Sequence, residues 1–145
     1  MFEKVLFPTD FSDVATKALQ YVKELRQAGT REVTVLHVVD QANLDLLGTY
    51  SAVGDLVNLE REILKRASDE VGFVANELRQ CGFTVNERVM QGSPVRLILR
   101  LAEEENPSLI VVGSHGKSNL EEMLMGSVSE KVVRKARHPV LVIKR

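Results

Sequence analysis

Residues 33–39 read Val33-Thr34-Val35-Leu36-His37-Val38-Val39, apolar at every position except Thr34 and His37. A strand with one wetted face alternates apolar and polar side chains, whereas a strand covered on both faces reads as a continuous β-branched run. This stretch is therefore a buried strand in the middle of a parallel sheet. Toward the N-terminus, Val5-Leu6-Phe7 forms another buried strand that stops at Pro8. Ser12 then serves as an N-cap with Asp13 in the first turn. Ala15, Ala18, Leu19, Val22 and Leu25 follow at helical spacing, and Gly29 supplies the stop.

In the other direction, residues 40–55 keep no single period. Leu44, Leu46, Leu47 and Tyr50 are apolar, yet Gly48 and Gly54 interrupt a regular helix. The segment reads as an insertion, mobile or in contact with a partner. A long helix then carries Leu56, Leu59, Ile63, Ala67, Val71, Val74 and Leu78 on one face and ends at Gly82. Phe83, Val85, Glu87 and Val89 alternate with polar neighbours, which marks an edge strand. Gly92-Ser93-Pro94 is turn, N-cap and first helical residue of a helix reaching about Glu105. Leu109 to Val112 is a buried strand, residues 114–125 are a loop with a helical turn near Leu120 to Leu124, and a helix spans about Ser127 to Ala136. Val140 to Ile143 is the last strand. Five strands in strict alternation with four helices give an α/β fold, one doubly wound parallel sheet in a single domain over residues 1–145.

Composition narrows the function. Nineteen Lys and Arg against twenty Asp and Glu leave a net charge of -1, so no basic excess points to nucleic acid. One cysteine excludes an internal disulfide, and three scattered histidines offer no zinc spacing. No apolar run approaches the roughly 18 residues of a membrane span. Met1-Phe2-Glu3-Lys4 leads straight into a strand without a signal-peptide pattern. The expectation is a soluble, cytoplasmic protein.

In an open α/β sheet, ligands bind beyond the carboxyl ends of the strands. That rule selects Pro8-Thr9-Asp10, then Val38 to Asp40, then Gly113 onward. Asp10 can accept hydrogen bonds from a ribose, meet a metal, or simply shape the turn into a helix. Gly113-Ser114-His115-Gly116 is followed by nine residues and then Gly126-Ser127. Glycines let backbone N–H groups approach phosphate closely, and a helix start favours an anion. Ser127 and Glu130 also fit a capping box, which any helix start can use. A P-loop is excluded because Val111 stands where its first glycine belongs, and the Gly-x-Gly-x-x-Gly fingerprint is absent. His37 reads as a satisfied core histidine, while His115 lies where it can touch phosphate. Ser114 lacks a nucleophile elbow, which argues against a hydrolase triad.

Pro8-Thr9-Asp10-Phe11-Ser12, Leu36-His37-Val38, the Gly-2x-Gly-9x-Gly-Ser pattern and the closing Pro139-Val140-Leu141-Val142-Ile143-Lys144 together resemble the universal stress protein family. The complete glycine pattern is similar to its ATP-binding branch. The resemblance implies an adenine nucleotide alpha hydrolase-like architecture and a cofactor, ATP, accompanied by Mg2+ or Mn2+. It implies that Asp10 reaches the adenosine, with Pro8 and Thr9 shaping the turn and Val38 meeting adenine through its backbone. Gly113, His115 and Gly116 would line the phosphate path, and Gly126, Ser127, Val128 and Ser129 would bind phosphates. It further implies a homodimer through the last strand. A strand order 3-2-1-4-5 leaves Val140 to Ile143 on an open edge, where four apolar residues need cover, and pairing with a second copy supplies it. A proline at Leu141 is the natural test of that pairing.

The function expected is a nucleotide-dependent regulator or switch in stress response, with at most slow ATP turnover. Two alternatives stand beside it: an enzyme of the same architecture that transfers an adenylyl group, and a dimerisation module that binds no nucleotide.

Overall fold

A computed structural model describes residues 1–49, 53–115 and 125–145. The strands are β1 (Lys4–Pro8), β2 (Glu32–Asp40), β3 (Thr84–Gly92), β4 (Leu109–Gly113) and β5 (Val140–Ile143). The helices are α1 (Asp13–Glu24), α2 (Gln41–Gly48), α3 (Val53–Gln80), α4 (Pro94–Glu105) and α5 (Ser127–Lys135). All strand pairs are parallel, and the sheet order is β3-β2-β1-β4-β5. The edge assignment for β3 and the central position of β2 follow the expectation.

Successive side chains of a strand point to opposite faces, so each central strand feeds two cores. Val33 and Val35 of β2 pack with Ala18 and Val22 of α1 and Val71 and Leu78 of α3. Leu36 of the same strand packs on the other face with Ile98 and Leu101 of α4 and Val132 of α5. Each such side chain contributes about 1.5–3 kcal/mol on burial, which is why an unbroken apolar run is stable here and would be insoluble on a one-sided sheet. The first helix ends through a 3-10 turn, Leu25–Ala28, and Gly29 terminates it with φ 101°, a left-handed conformation that suits glycine.

Three expectations change. Residues 41–48 are helical, because Asp40 caps the segment by accepting from the Ala42 N–H and Leu44 buries against Val39 and Ala67. Gly48 does interrupt the helix, as the last residue of α2, whereas Gly54 lies inside α3, where an added Cβ would meet open space. The capping box at Ser127 does not form. The N-cap is Gly126, no side chain caps the helix, and Glu130 pairs with Arg134 instead. His37 is half-buried on the rim of a crevice rather than sealed in the core. The helical turn expected near Leu120 to Leu124 lies outside the described residues. Among the described residues no helix is long and apolar enough to cross a membrane.

Candidate functional site

A crevice of about 750 Å3 opens beyond the carboxyl ends of β1, β2 and β4. Its first wall is the turn from β1 into α1. The Thr9 N–H donates to the Leu36 carbonyl at 2.8 Å, so the chain leaves the sheet still tied to β2. The imidazole Nδ1 of His37 lies 2.8 Å from the Thr9 carbonyl oxygen. A carbonyl only accepts, so Nδ1 carries the proton and donates. Within the turn, the Phe11 N–H donates to Thr9 Oγ1 and the Ser12 N–H to Asp10 Oδ1. Phe11 takes φ 62°, a region few non-glycine residues visit, and its ring stacks on His37 with centroids 4.6 Å apart. Ser12 Oγ then accepts from the Ala15 N–H and caps α1, as its position in the sequence implied.

The second wall joins the end of β4 to the start of α5. A Cβ on Gly113 would sit 2.9 Å from Val14 Cγ1, so glycine is required there for α1 to pack on β4. That demand is independent of any ligand, and the sequence reading did not include it. Ser114 is fully buried, its N–H donates to the Ile143 carbonyl and its Oγ bonds His115 Nδ1 at 2.8 Å. Ser129 Oγ donates to the Gly113 carbonyl, and the Gly126 N–H donates to the Ser114 carbonyl. These two bonds hold the start of α5 against the end of β4. The first intrahelical donor of α5 is the Glu130 N–H, which reaches Gly126. The N–H groups of Ser127, Val128 and Ser129 therefore have neither an intrahelical carbonyl nor a side-chain cap. With the helix dipole behind them, they form a donor cluster suited to an anion.

Of the third wall, only the end of β2 was legible in the sequence. Val38 and Asp40 at the end of β2 are joined by Leu44 and Leu47 of α2 and by Ile63, Arg66 and Glu70 of α3. Ile63, Arg66 and Glu70 share one helix face by spacing alone. Only the packing of α3 beside the end of β2 brings that face to the crevice.

Pro8, Thr9, Asp10, Val38, Gly113, His115, Gly126, Ser127, Val128 and Ser129 all line this one crevice. Gly116 lies outside the described residues. Ser127 and Val128 are exposed at the mouth, whereas Ser129 is buried with its hydroxyl engaged. Among the described residues no group of three or more His, Cys, Asp or Glu side chains gathers to hold a metal ion. Chemically, the crevice offers the Asp10 carboxylate on its first wall, backbone donors on its second, and apolar and charged side chains on its third.

The sequence and the fold can be compared with known proteins. The universal stress protein family model matches residues 1–144. Universal stress protein MJ0577 of Methanocaldococcus jannaschii is 37% identical, covering 100% of this chain and 96% of that protein. The structure of MJ0577 superposes with a TM-score of 0.90 over 100% of this chain and 97% of its own. Universal stress protein YxiE of Bacillus subtilis is 33% identical over 99% of this chain and 100% of that protein. At 20% identity, a universal stress protein family protein of Arabidopsis thaliana with AMP bound shares the fold, with a TM-score of 0.70 over 98% of this chain and 91% of its own. With its full length matched in sequence and its sheet order matched in structure, this chain belongs to the universal stress protein family.

Proposed function

We propose that the chain binds ATP in this crevice and works as a nucleotide-dependent regulator or switch in a stress response in the cytoplasm. The observation that carries the reading is a carboxylate turn facing an uncapped helix start across one cavity of about 750 Å3, within the usual size of a small-ligand site. Asp10 accepts from the ribose hydroxyls, Pro8 and Thr9 shape its turn, and the Val38 backbone meets the adenine edge. Gly113, His115 and Gly116 flank the phosphate path. The phosphates sit on the start of α5, at Gly126, Ser127, Val128 and Ser129. The AMP bound to the Arabidopsis thaliana protein supports the reading by analogy of fold. An accompanying Mg2+ or Mn2+ would neutralise charge on the triphosphate.

The decisive experiment is to purify the chain without added nucleotide, identify bound small molecules by mass spectrometry, and titrate the stripped protein with ATP in a calorimeter. Copurified nucleotide or saturable heat supports the assignment. Neither one appearing would sink it. Turnover of ATP with magnesium should stay far below the roughly 1–1,000 per second of dedicated enzymes. Rapid, saturable product formation with a small-molecule acceptor would favour adenylyl transfer instead.

The same reading includes a homodimer through Val140 to Ile143. β5 is an edge strand, and Val140, Leu141 and Val142 are all only half-buried. The Pro139 and Ile143 carbonyls accept from β4, at the Ile110 and Ser114 N–H groups. The backbone groups of a strand alternate sides, so Leu141 also turns toward β4 while Val140 and Val142 turn outward. Leu141 is thus the wrong place for the proline test, and Val142→Pro is the right one. Sedimentation should show a dimer for the wild type and a shift to monomer for Val142→Pro with its helical signal kept. A wild type that sediments as a monomer at micromolar concentration refutes the dimer.

A further inference from the structure

We propose that His37 is a positioning residue for the ribose, acting through the Thr9–Asp10 turn. The inference rests on the ATP reading above and adds a residue to it. The Asp10 carboxylate is useful only if its turn is held in one geometry, and that turn is not at rest. Phe11 sits at φ 62° without being glycine, a conformation that persists only where the surroundings over-determine it. Two of the hydrogen bonds there, Phe11 N–H to Thr9 Oγ1 and Ser12 N–H to Asp10 Oδ1, lie inside the turn. They shape it without fixing it to the body of the protein.

Two anchors come from β2. Leu36 takes the Thr9 N–H, and His37 gives its Nδ1–H to the Thr9 carbonyl, so both polar groups of that one peptide-bearing residue are tied to adjacent residues of a central strand. The same imidazole is the platform for the Phe11 ring, 4.6 Å away and tilted by 33°. One side chain therefore satisfies the carbonyl before Asp10 and braces the strained residue after it. A core histidine chosen only for volume would do neither. His37 and Asp10 line the same crevice, at the point where β1 passes into the turn.

The geometry also says which substitutes can work. An Asn amide Nδ2 stands the same number of bonds from the backbone as the imidazole Nδ1 and can donate to the Thr9 carbonyl. A Gln amide stands one bond farther out and cannot take that place. The experiment titrates wild type, His37→Asn and His37→Gln with ATP and with 2′-deoxy-ATP, the ratio of affinities reporting how well the ribose is held. Loss of one hydrogen bond to a charged group corresponds to about tenfold in affinity or more. Wild type and His37→Asn should prefer ATP by about that factor, and His37→Gln should lose most of the preference while still binding both. Long-range nitrogen–proton correlation spectra of the wild type, which need no variant, should show His37 protonated on Nδ1. An Nε2-protonated ring overturns the proposal, as does a His37→Gln chain that keeps the full preference or a His37→Asn chain that loses it. A wild type that binds the two nucleotides alike removes the ribose role of Asp10, and that of His37 with it. A wild type that binds neither overturns the ATP reading itself.

Discussion

Helices α1 and α5 both begin at the rim of the same crevice, yet their first turns are finished in opposite ways. At α1, Ser12 Oγ takes the Ala15 N–H and Asp13 adds negative charge to the first turn. At α5, Gly126 stands at the cap position, no side chain caps the helix, and Ser127 and Val128 are exposed. A capped end spends its donors on its own stability. An uncapped end keeps them for another partner and leans on tertiary ties, here Ser129 to Gly113 and Gly126 to Ser114. The contrast separates a helix start closed on its own side chain from one whose donors the proposed function assigns to a ligand.

The largest expected effect breaks the second kind. Gly126 has φ -70° and ψ 162°, a backbone any residue can adopt, so Gly126→Val introduces no backbone strain. Its side chain should nevertheless keep phosphate from the α5 donors, at about 1.5–3 kcal/mol or roughly 10- to 150-fold in ATP affinity. Calorimetric titration of a folded Gly126→Val protein with unchanged affinity would remove the phosphate role of α5.

Gly113→Ala should act on the other side of the comparison, through packing. The new Cβ would meet Val14, which is 1% exposed and stiff about χ1, so it cannot swing aside. Overpacking of this kind costs about 1–3 kcal/mol, to be read as a lower urea midpoint measured without nucleotide. An unchanged midpoint would mean that α1 can slide away from β4.

Two serines sharpen the contrast at smaller scale. Ser12→Ala should cost about 1 kcal/mol of stability through the lost cap. Ser127→Ala removes no cap bond and should stay within about 0.5 kcal/mol of the wild type. Equal losses in thermal melting would mean that the two helix starts are not different in kind.

Much of the fold was readable before the structure. The unbroken run at residues 33–39 implied burial on both faces, and β2 is paired on both sides with a core on each face. Ser12, Gly29 and Pro94 marked helix ends through chemistry local to a few residues, and the helices begin or stop there. The helix over 41–48 has a local cap at Asp40, but the burial that holds it comes in part from a distant contact, Leu44 with Ala67, which no local periodicity reveals. Ser127 and Glu130 matched a capping pattern that the structure declines. Gly126 already takes the cap position, and Glu130 turns to Arg134 on the solvent side.

By itself, then, the sequence determined what depends on neighbours along the chain: the alternation of strands and helices, most caps, and the residues lying just past the carboxyl ends of β1, β2 and β4. Side-chain period and turn chemistry act over a few residues, so they can be read in order. The tertiary structure alone decided which of those ends share a wall, that Gly113 answers to Val14, that α3 lends Arg66 and Glu70 to the crevice, and that His37 braces the Asp10 turn. Those contacts join residues far apart in sequence, and they exist only once the parallel sheet has set its strands side by side.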